Sequence, residues 1–288
     1  MVNKDDKLAY KIVSFLNKLI NKLLSNLLIA SEKLNYLKYK LEFGEKDDDI
    51  YIITYPKSGT TLMQMMLYQL TTSGEITFKH IYEVSPWLRN DAYKHFPLKA
   101  LPSPRIIKTH DNYYDYTKGT KGKFIFIFRD GIDVAISLYH QKKNYGHPNL
   151  DFDNYFKSFI EQKNMNWFYF TKEWILNKNN HKILYLTYED ILENMDKNIQ
   201  IISEFCNLSI CKTDFPRIKE RCSFEFMKTH QDKFGEQPPE PSPFIYDQFI
   251  RKGQPGEGKT YLSDEQKKTF ENTFNKVLGT IKNNINKN

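Results

Sequence analysis

The sequence predicts an α/β protein with a central, mostly parallel sheet flanked by helices. Three observations predict it. Short runs of β-branched and aromatic residues at 50–55, 105–108, 124–128 and 182–187 read as strands buried on both faces. Stretches with apolar residues at three- and four-residue steps lie between or after them, at 60–70, 132–142, 152–177 and 191–206. Strands separated by helices imply right-handed crossovers, hence parallel pairing.

In chain order, the first element is an amphipathic helical segment over 1–44. Ile12, Val13, Leu16, Leu19, Ile20, Leu23, Leu24, Leu27 and Leu28 form a helical stripe, with Lys11, Lys18 and Lys22 at other positions. No uninterrupted apolar run approaches the ~20 residues that span a bilayer. Lys18, Asn21 and Lys22 also break any secretory core. Two readings stay open: a helix packed on the domain, or a basic helix in peripheral contact with a membrane. The acidic run 45–49 separates this segment from a single larger domain, 45–288.

Residues 50–70 are the centre of the chain: a strand, a turn with Pro56, Ser58 and Gly59, then a helix from Thr60. This is a phosphate cradle. A helix start offers unpaired N–H groups and partial positive charge. Lys57 adds a full charge, and Ser58, Thr60 and Thr61 add hydroxyl donors. Gly59 lets the backbone approach an anion closely. Lys57 precedes the glycine, so the order of the nucleotide-triphosphate P-loop is absent.

The strand at 105–108 delivers Lys108 and His110 to its C-terminal end, where open parallel sheets bind ligands. The strand at 124–128 ends in Arg129, whose planar fork suits phosphate, and Ser137 follows on the next helix. The strand at 182–187 leads to Tyr188. Further on come Ser223, Phe224 and Met227, then a Pro-rich stretch at 231–246, then Arg251, Lys252 and Gly253. A loop of that length inside a compact domain reads as a lid.

Composition sets outer limits. The 288 residues suffice for a substantial core, and 40% hydrophobic with 15% aromatic content is globular. A net charge of +7 favours anionic ligands. No nucleic-acid motif appears, so no nucleic-acid partner is expected. Three cysteines without a C-x-x-C pair suit a reducing compartment, hence a cytoplasmic location.

Taken together, TYPKSGTT at 54–61, KTH at 108–110, the R-x-x-x-D-V-A-x-S run from Arg129 to Ser137, Tyr188, SFEFM at 223–227 and RKG at 251–253 resemble the sulfotransferases that use 3′-phosphoadenosine-5′-phosphosulfate (PAPS), especially the cytosolic type. The resemblance runs from about residue 48 to the C-terminal helix. It implies a P-loop-like three-layer fold. It also implies in-line transfer of a sulfuryl group from PAPS to a hydroxyl or amine, with PAP as product and no metal. By the same resemblance, His110 is the general base and Lys108 sits beside the sulfuryl group. Lys57, Ser58, Gly59, Thr60 and Thr61 hold the 5′-phosphate end, and Ser137 also restrains Lys57. Arg129, Ser137, Arg251, Lys252 and Gly253 take the 3′-phosphate. Leu62, Tyr188, Ser223, Phe224 and Met227 surround the adenosine. Many members carry Trp where this chain has Leu62, and another where it has Gly258. The family's dimer motif is unmatched, which leaves the oligomeric state open.

Tyr82, Trp87, Phe96, Tyr139, Tyr145, Phe244 and Tyr246 lie in segments that, by the resemblance, line the acceptor pocket of relatives; each is either a pocket residue favouring a small lipophilic or aromatic acceptor, or a core residue. Arg89 and Lys94 leave an anionic or sugar acceptor open. Two other classes stay in view: a P-loop-type small-molecule kinase, and a non-catalytic membrane-associated scaffold.

Overall fold

The computed structural model describes residues 4–89, 101–116, 120–163, 165–177, 183–235 and 249–281. Its contacts divide the chain into two units: 1–44 with 88–98, and 45–87 with 99–288.

In the first unit, α1 (Lys4–Phe43) is one helix of 40 residues. Its apolar side chains, from Leu8 through Leu16, Leu23 and Leu28 to Leu41, are exposed. It contains an 18-residue stretch long and apolar enough, with at most two charged residues, to cross a membrane. The criterion is one of length and average composition; Lys18, Asn21 and Lys22 still interrupt any continuous apolar run.

The second unit is built on four parallel strands in the order β2-β1-β3-β4: β1 (Ile50–Thr54), β2 (Ile106–Thr109), β3 (Lys123–Phe128) and β4 (Ile183–Thr187). Ile52 stands opposite Lys108 on one side and Ile125 on the other, and Phe126 opposite Tyr185. The chain crosses from β1 to β2, then back past β1 to β3. This reversal makes a switch point at the C-terminal strand ends, where such sheets bind ligands.

Alternation along each strand builds two cores. Ile50, Ile52, Ile125 and Ile127 meet α2 (Thr60–Thr71) through Met63, Met66 and Leu67. On the other face, Phe126 packs on Phe170 and Trp174 at ring distances of 6.1 and 6.0 Å. The helix α2 is covered almost all round, more than its apolar stripe suggested. Two of its buried side chains are held by hydrogen bonds: Gln64 Nε2 donates to Ser85 O (2.9 Å), and Gln69 Nε2 donates to Gly74 O (3.0 Å).

The helix at 132–142 is α3 (Gly131–Asn144), capped by Asp130. The stretch expected as one helix over 152–177 is two, α4 (Phe152–Glu161) and α5 (Trp167–Leu176). Met165 sits at φ 48° between them, and the Asn166 side chain caps α5 by accepting from Phe168 N. The next helix begins early, as α6 (Tyr188–Glu193), because the Thr187 side chain caps it; α7 (Met195–Cys206) follows. The short helices α8 (Phe215–Arg221) and α9 (Phe224–Thr229) precede the final α10 (Asp264–Leu278).

The acidic run ends in a buried ion pair. Asp49 is fully buried and pairs with Arg105 through two contacts, Nε–Oδ1 2.7 Å and Nη2–Oδ2 2.6 Å.

Candidate active site

Each strand hands one residue or loop to the same place. Beyond β1, Lys57 adopts φ 70°, in the left-handed region that non-glycine residues rarely enter. Arg129, from the end of β3, donates through Nη1 to Lys57 O at 2.7 Å and holds this loop. Gly59 follows at φ 95° and begins α2. A Cβ at Gly59 would lie 2.7 Å from the Tyr188 ring, so only glycine lets the loop lie against the residue that opens α6. The Arg129 guanidinium lies 4.6 Å from the same ring.

His110 ends β2. Its Nδ1 is 2.8 Å from Thr54 O. A carbonyl only accepts, so Nδ1 carries the proton and Nε2 keeps the basic lone pair. Burial, then the charge of Lys108, holds the His110 pKa down at about 3, against the pull of the Thr54 hydrogen bond. The Trp87 ring meets His110 edge-on at 5.1 Å. Lys108 is buried, donates to Tyr82 Oη at 2.9 Å and lies 4.6 Å from the Trp87 ring.

These groups line one cavity of about 220 Å³. Of the residues singled out from the sequence, Lys57, Gly59, Thr60, Thr61, Leu62, Lys108, His110, Arg129, Ser137, Tyr188, Phe224, Met227, Arg251, Lys252 and Gly253 line it. Ser58 and Ser223 do not. Ser58 is buried in the cradle with its hydroxyl unpartnered, and Ser223 caps α9 by accepting from Phe226 N at 3.1 Å. Arg129 Nε is also buried without a partner. Unpaired buried donors beside a cavity fit an anionic group that would satisfy them.

Among the aromatics expected near an acceptor, Tyr82 and Trp87 line the cavity. Tyr139 instead packs among Phe152, Tyr155 and Tyr261. Tyr145 lines a small neighbouring cavity with Lys57 and Ser137. Arg89 lies in the first unit, 5.3 Å from the Tyr36 ring. Phe96, Phe244, Tyr246 and Lys94 lie outside the described residues, as does most of the expected lid.

Sequence reasoning missed Phe249, whose ring lies 4.4 Å from Lys57 Nζ. It singled out Asp133 within the R-x-x-x-D-V-A-x-S run but not its role, which is to accept from Gly256 N (2.5 Å) and Gly258 N (2.9 Å). Nothing local marked Phe249.

The sulfotransferase domain profile matches residues 47–282. The chain belongs to the sulfotransferase family. It is 31% identical to human sulfotransferase 1C2 over 262 residues, covering 82% of this chain and 85% of that one. It is 32% identical to mouse sulfotransferase 1B1 over 255 residues, covering 82% and 85%. Two crystal structures share the fold: mouse sulfotransferase SULT7A1 complexed with PAP and retinol dehydratase in complex with androsterone and PAP. Both superpose with TM-score 0.66, at 21% and 20% identity, covering 83% and 84% of this sulfotransferase and 87% and 85% of the other chains. The protein is a sulfotransferase with the P-loop-like α/β fold, and the kinase alternative falls with that membership.

Proposed function

We propose that this sulfotransferase moves the sulfuryl group of PAPS to a hydroxyl, or an amine, of a small lipophilic acceptor, releasing PAP. One observation supports the reading most: a neutral His110 with its Nε2 lone pair available, sharing a cavity with Lys57 and Lys108. His110 takes the acceptor proton as the oxygen attacks sulfur. Lys57 and the N–H groups that open α2 hold the 5′-phosphate and meet the charge that builds on the leaving oxygen, as in phosphoryl transfer. Lys108, beside Tyr82 and Trp87, faces the sulfuryl oxygens. Ser137 restrains Lys57 until the acceptor arrives. Arg129, Ser137, Arg251, Lys252 and the Gly253 backbone hold the 3′-phosphate. Side chains supply the positive charge, so the reaction as read needs no metal. The Tyr188 and Phe224 rings, with Leu62 and Met227, enclose the adenine, which offsets the missing Trp at Leu62. PAP in the two fold relatives supports the donor, and the androsterone and retinol of the retinol dehydratase complexes support a lipophilic acceptor.

Calorimetric titration with PAP, ATP and 5′-AMP tests the donor: tight binding that needs the 3′-phosphate is expected, and equal affinity for PAP and 5′-AMP would refute it. His110→Gln should cut turnover by ~10²–10⁴-fold and leave PAP binding within a few fold; undiminished turnover would remove the base. The histidine also titrates in the fold. Its folded pKa of about 3 lies below the ordinary histidine value of 6.5. The unfolded chain therefore binds a proton first as pH falls, and stability is lost from about pH 6.5 downward. His110→Gln should flatten that part of a denaturation-versus-pH profile.

Residues 1–44 are read as an appendage to the catalytic domain at 45–288, in a cytoplasmic enzyme in peripheral contact with a membrane. Lys11, Ser14, Lys18, Lys22 and Ser25 recur at three- and four-residue steps, which makes one polar, basic stripe beside exposed apolar residues. Co-sedimentation of the full chain with anionic vesicles is expected; a chain that stays wholly in the supernatant at low salt would rule this out.

A further inference from the structure

The loop that carries Arg251 and Lys252 also carries a carboxylate that binds both. Glu257 takes Arg251 through two contacts, Nη1–Oε1 at 2.9 Å and a still closer Nη2–Oε2, and its Oε1 accepts from Lys252 Nζ at 2.8 Å. Both neighbours of Glu257 are pinned to α3, since Gly256 N and Gly258 N donate to the Asp133 carboxylate. That carboxylate is itself buried. The Glu257 backbone therefore cannot swing away, and its side chain is largely buried, with 14% of its surface exposed. Burial raises its pKa, but hydrogen bonds and charge from Arg251 and Lys252 outweigh that and hold it at about 2. The group is an anion at any working pH.

Arg251 and Lys252 line the cavity, whereas Glu257 does not. A bidentate carboxylate occupies both terminal nitrogens of a guanidinium, which are the same donors a phosphate would use. We propose that Glu257 is an internal counter-ion that competes with the donor's 3′-phosphate for Arg251 and Lys252, and so sets how tightly the enzyme holds PAP. The inference rests on the donor reading above. Two cations and one fixed anion leave a net charge of one facing a phosphate, where two would face it otherwise. The consequence is weaker nucleotide binding and faster product exchange, the step that limits turnover in many enzymes.

Glu257→Gln keeps the size and one acceptor but removes the charge. Calorimetry on the full chain with PAP and with 5′-AMP is the test. The variant should bind PAP ~10-fold tighter, with 5′-AMP unchanged, and its PAP affinity should fall more steeply with salt. Stopped-flow displacement should show slower PAP release. If the wild type prefers PAP over 5′-AMP and the variant binds PAP no tighter, the competition is refuted and Glu257 is a positioning residue. Parallel loss of PAP and 5′-AMP binding in the variant refutes it equally. A wild type that does not distinguish PAP from 5′-AMP overturns the donor reading itself, and this inference with it. Glu257→Asp withdraws the same charge from the guanidinium, and should tighten PAP by a smaller factor.

Discussion

The two ends of the parallel sheet treat the same residue type in opposite ways. At the N-terminal end, Arg105 is closed off. Asp49 meets it with both oxygens, and their side chains are only 7% and 0% exposed. Asp49 also accepts from Tyr51 Oη and Lys46 N, and its own carbonyl takes Lys123 N. Every strand start in reach is tied to that pair. At the C-terminal end, Arg129 donates to the Lys57 carbonyl and lies against the face of Tyr188, with Asp130 and Glu189 near enough to feel its charge. No carboxylate pairs with it among the described residues, and its Nε is buried without a partner. The first guanidinium is spent on the fold. The second lines the cavity with a buried donor that has no protein partner. Arginine identity alone does not separate the two; the partner does.

The comparison breaks most visibly at its closed end. Asp49→Ala removes the carboxylate that meets the buried Arg105 with both oxygens, and breaking a buried pair in this way should cost ~3–5 kcal/mol of stability. Urea denaturation reads this directly. The protein that remains folded should bind PAP as the wild type does. A variant of near-normal stability would mean that water reaches Arg105 and the pair is not closed.

Arg129→Ala should do the reverse. PAP binding should weaken by ~1.5–3 kcal/mol, the loss of charge-assisted hydrogen bonds to phosphate. The urea midpoint should move far less than for Asp49→Ala, because no buried charge is orphaned. Unchanged affinity would take Arg129 out of the donor site and make it a brace for the Lys57 loop alone.

Most of this architecture was legible in the sequence because its signals are local. Runs such as Phe124–Phe128 specify buried strands without help from elsewhere. The cradle from Lys57 to Thr61, the pair Lys108 and His110, and the triplet Arg251 to Gly253 are each contiguous, and the fold delivers them to one cavity. The illegible parts are long-range or depend on a single backbone angle. Asp49 and Arg105 are far apart in sequence, so nothing local announces their pairing. Phe249 over Lys57 has no periodicity to announce it. The break between α4 and α5 turns on Met165 entering φ 48° and on one asparagine cap, against a continuous apolar pattern. Glu257 is one acidic residue among many in the sequence, and only the fold shows that it meets Arg251 and Lys252.

The smallest effect separates resemblance from geometry. By resemblance Ser223 belongs to the adenosine site, yet its hydroxyl is occupied in accepting from Phe226 N at 3.1 Å. A capping hydroxyl satisfies an N–H group that the helix leaves unpaired, and replacing it with Ala costs about 1 kcal/mol. Ser223→Ala should therefore lower stability by that order. PAP affinity should change by less than about threefold, since α9 still presents Phe224 and Met227 from a frayed first turn. Phe224 is held from the other side as well: a Cβ at Gly253, which sits at φ 64°, would come within 2.4 Å of its ring. That contact keeps the ring in place when the cap is lost. A tenfold loss of PAP affinity with no change in stability would invert the assignment, putting the hydroxyl on the nucleotide and leaving α9 uncapped in the bound enzyme.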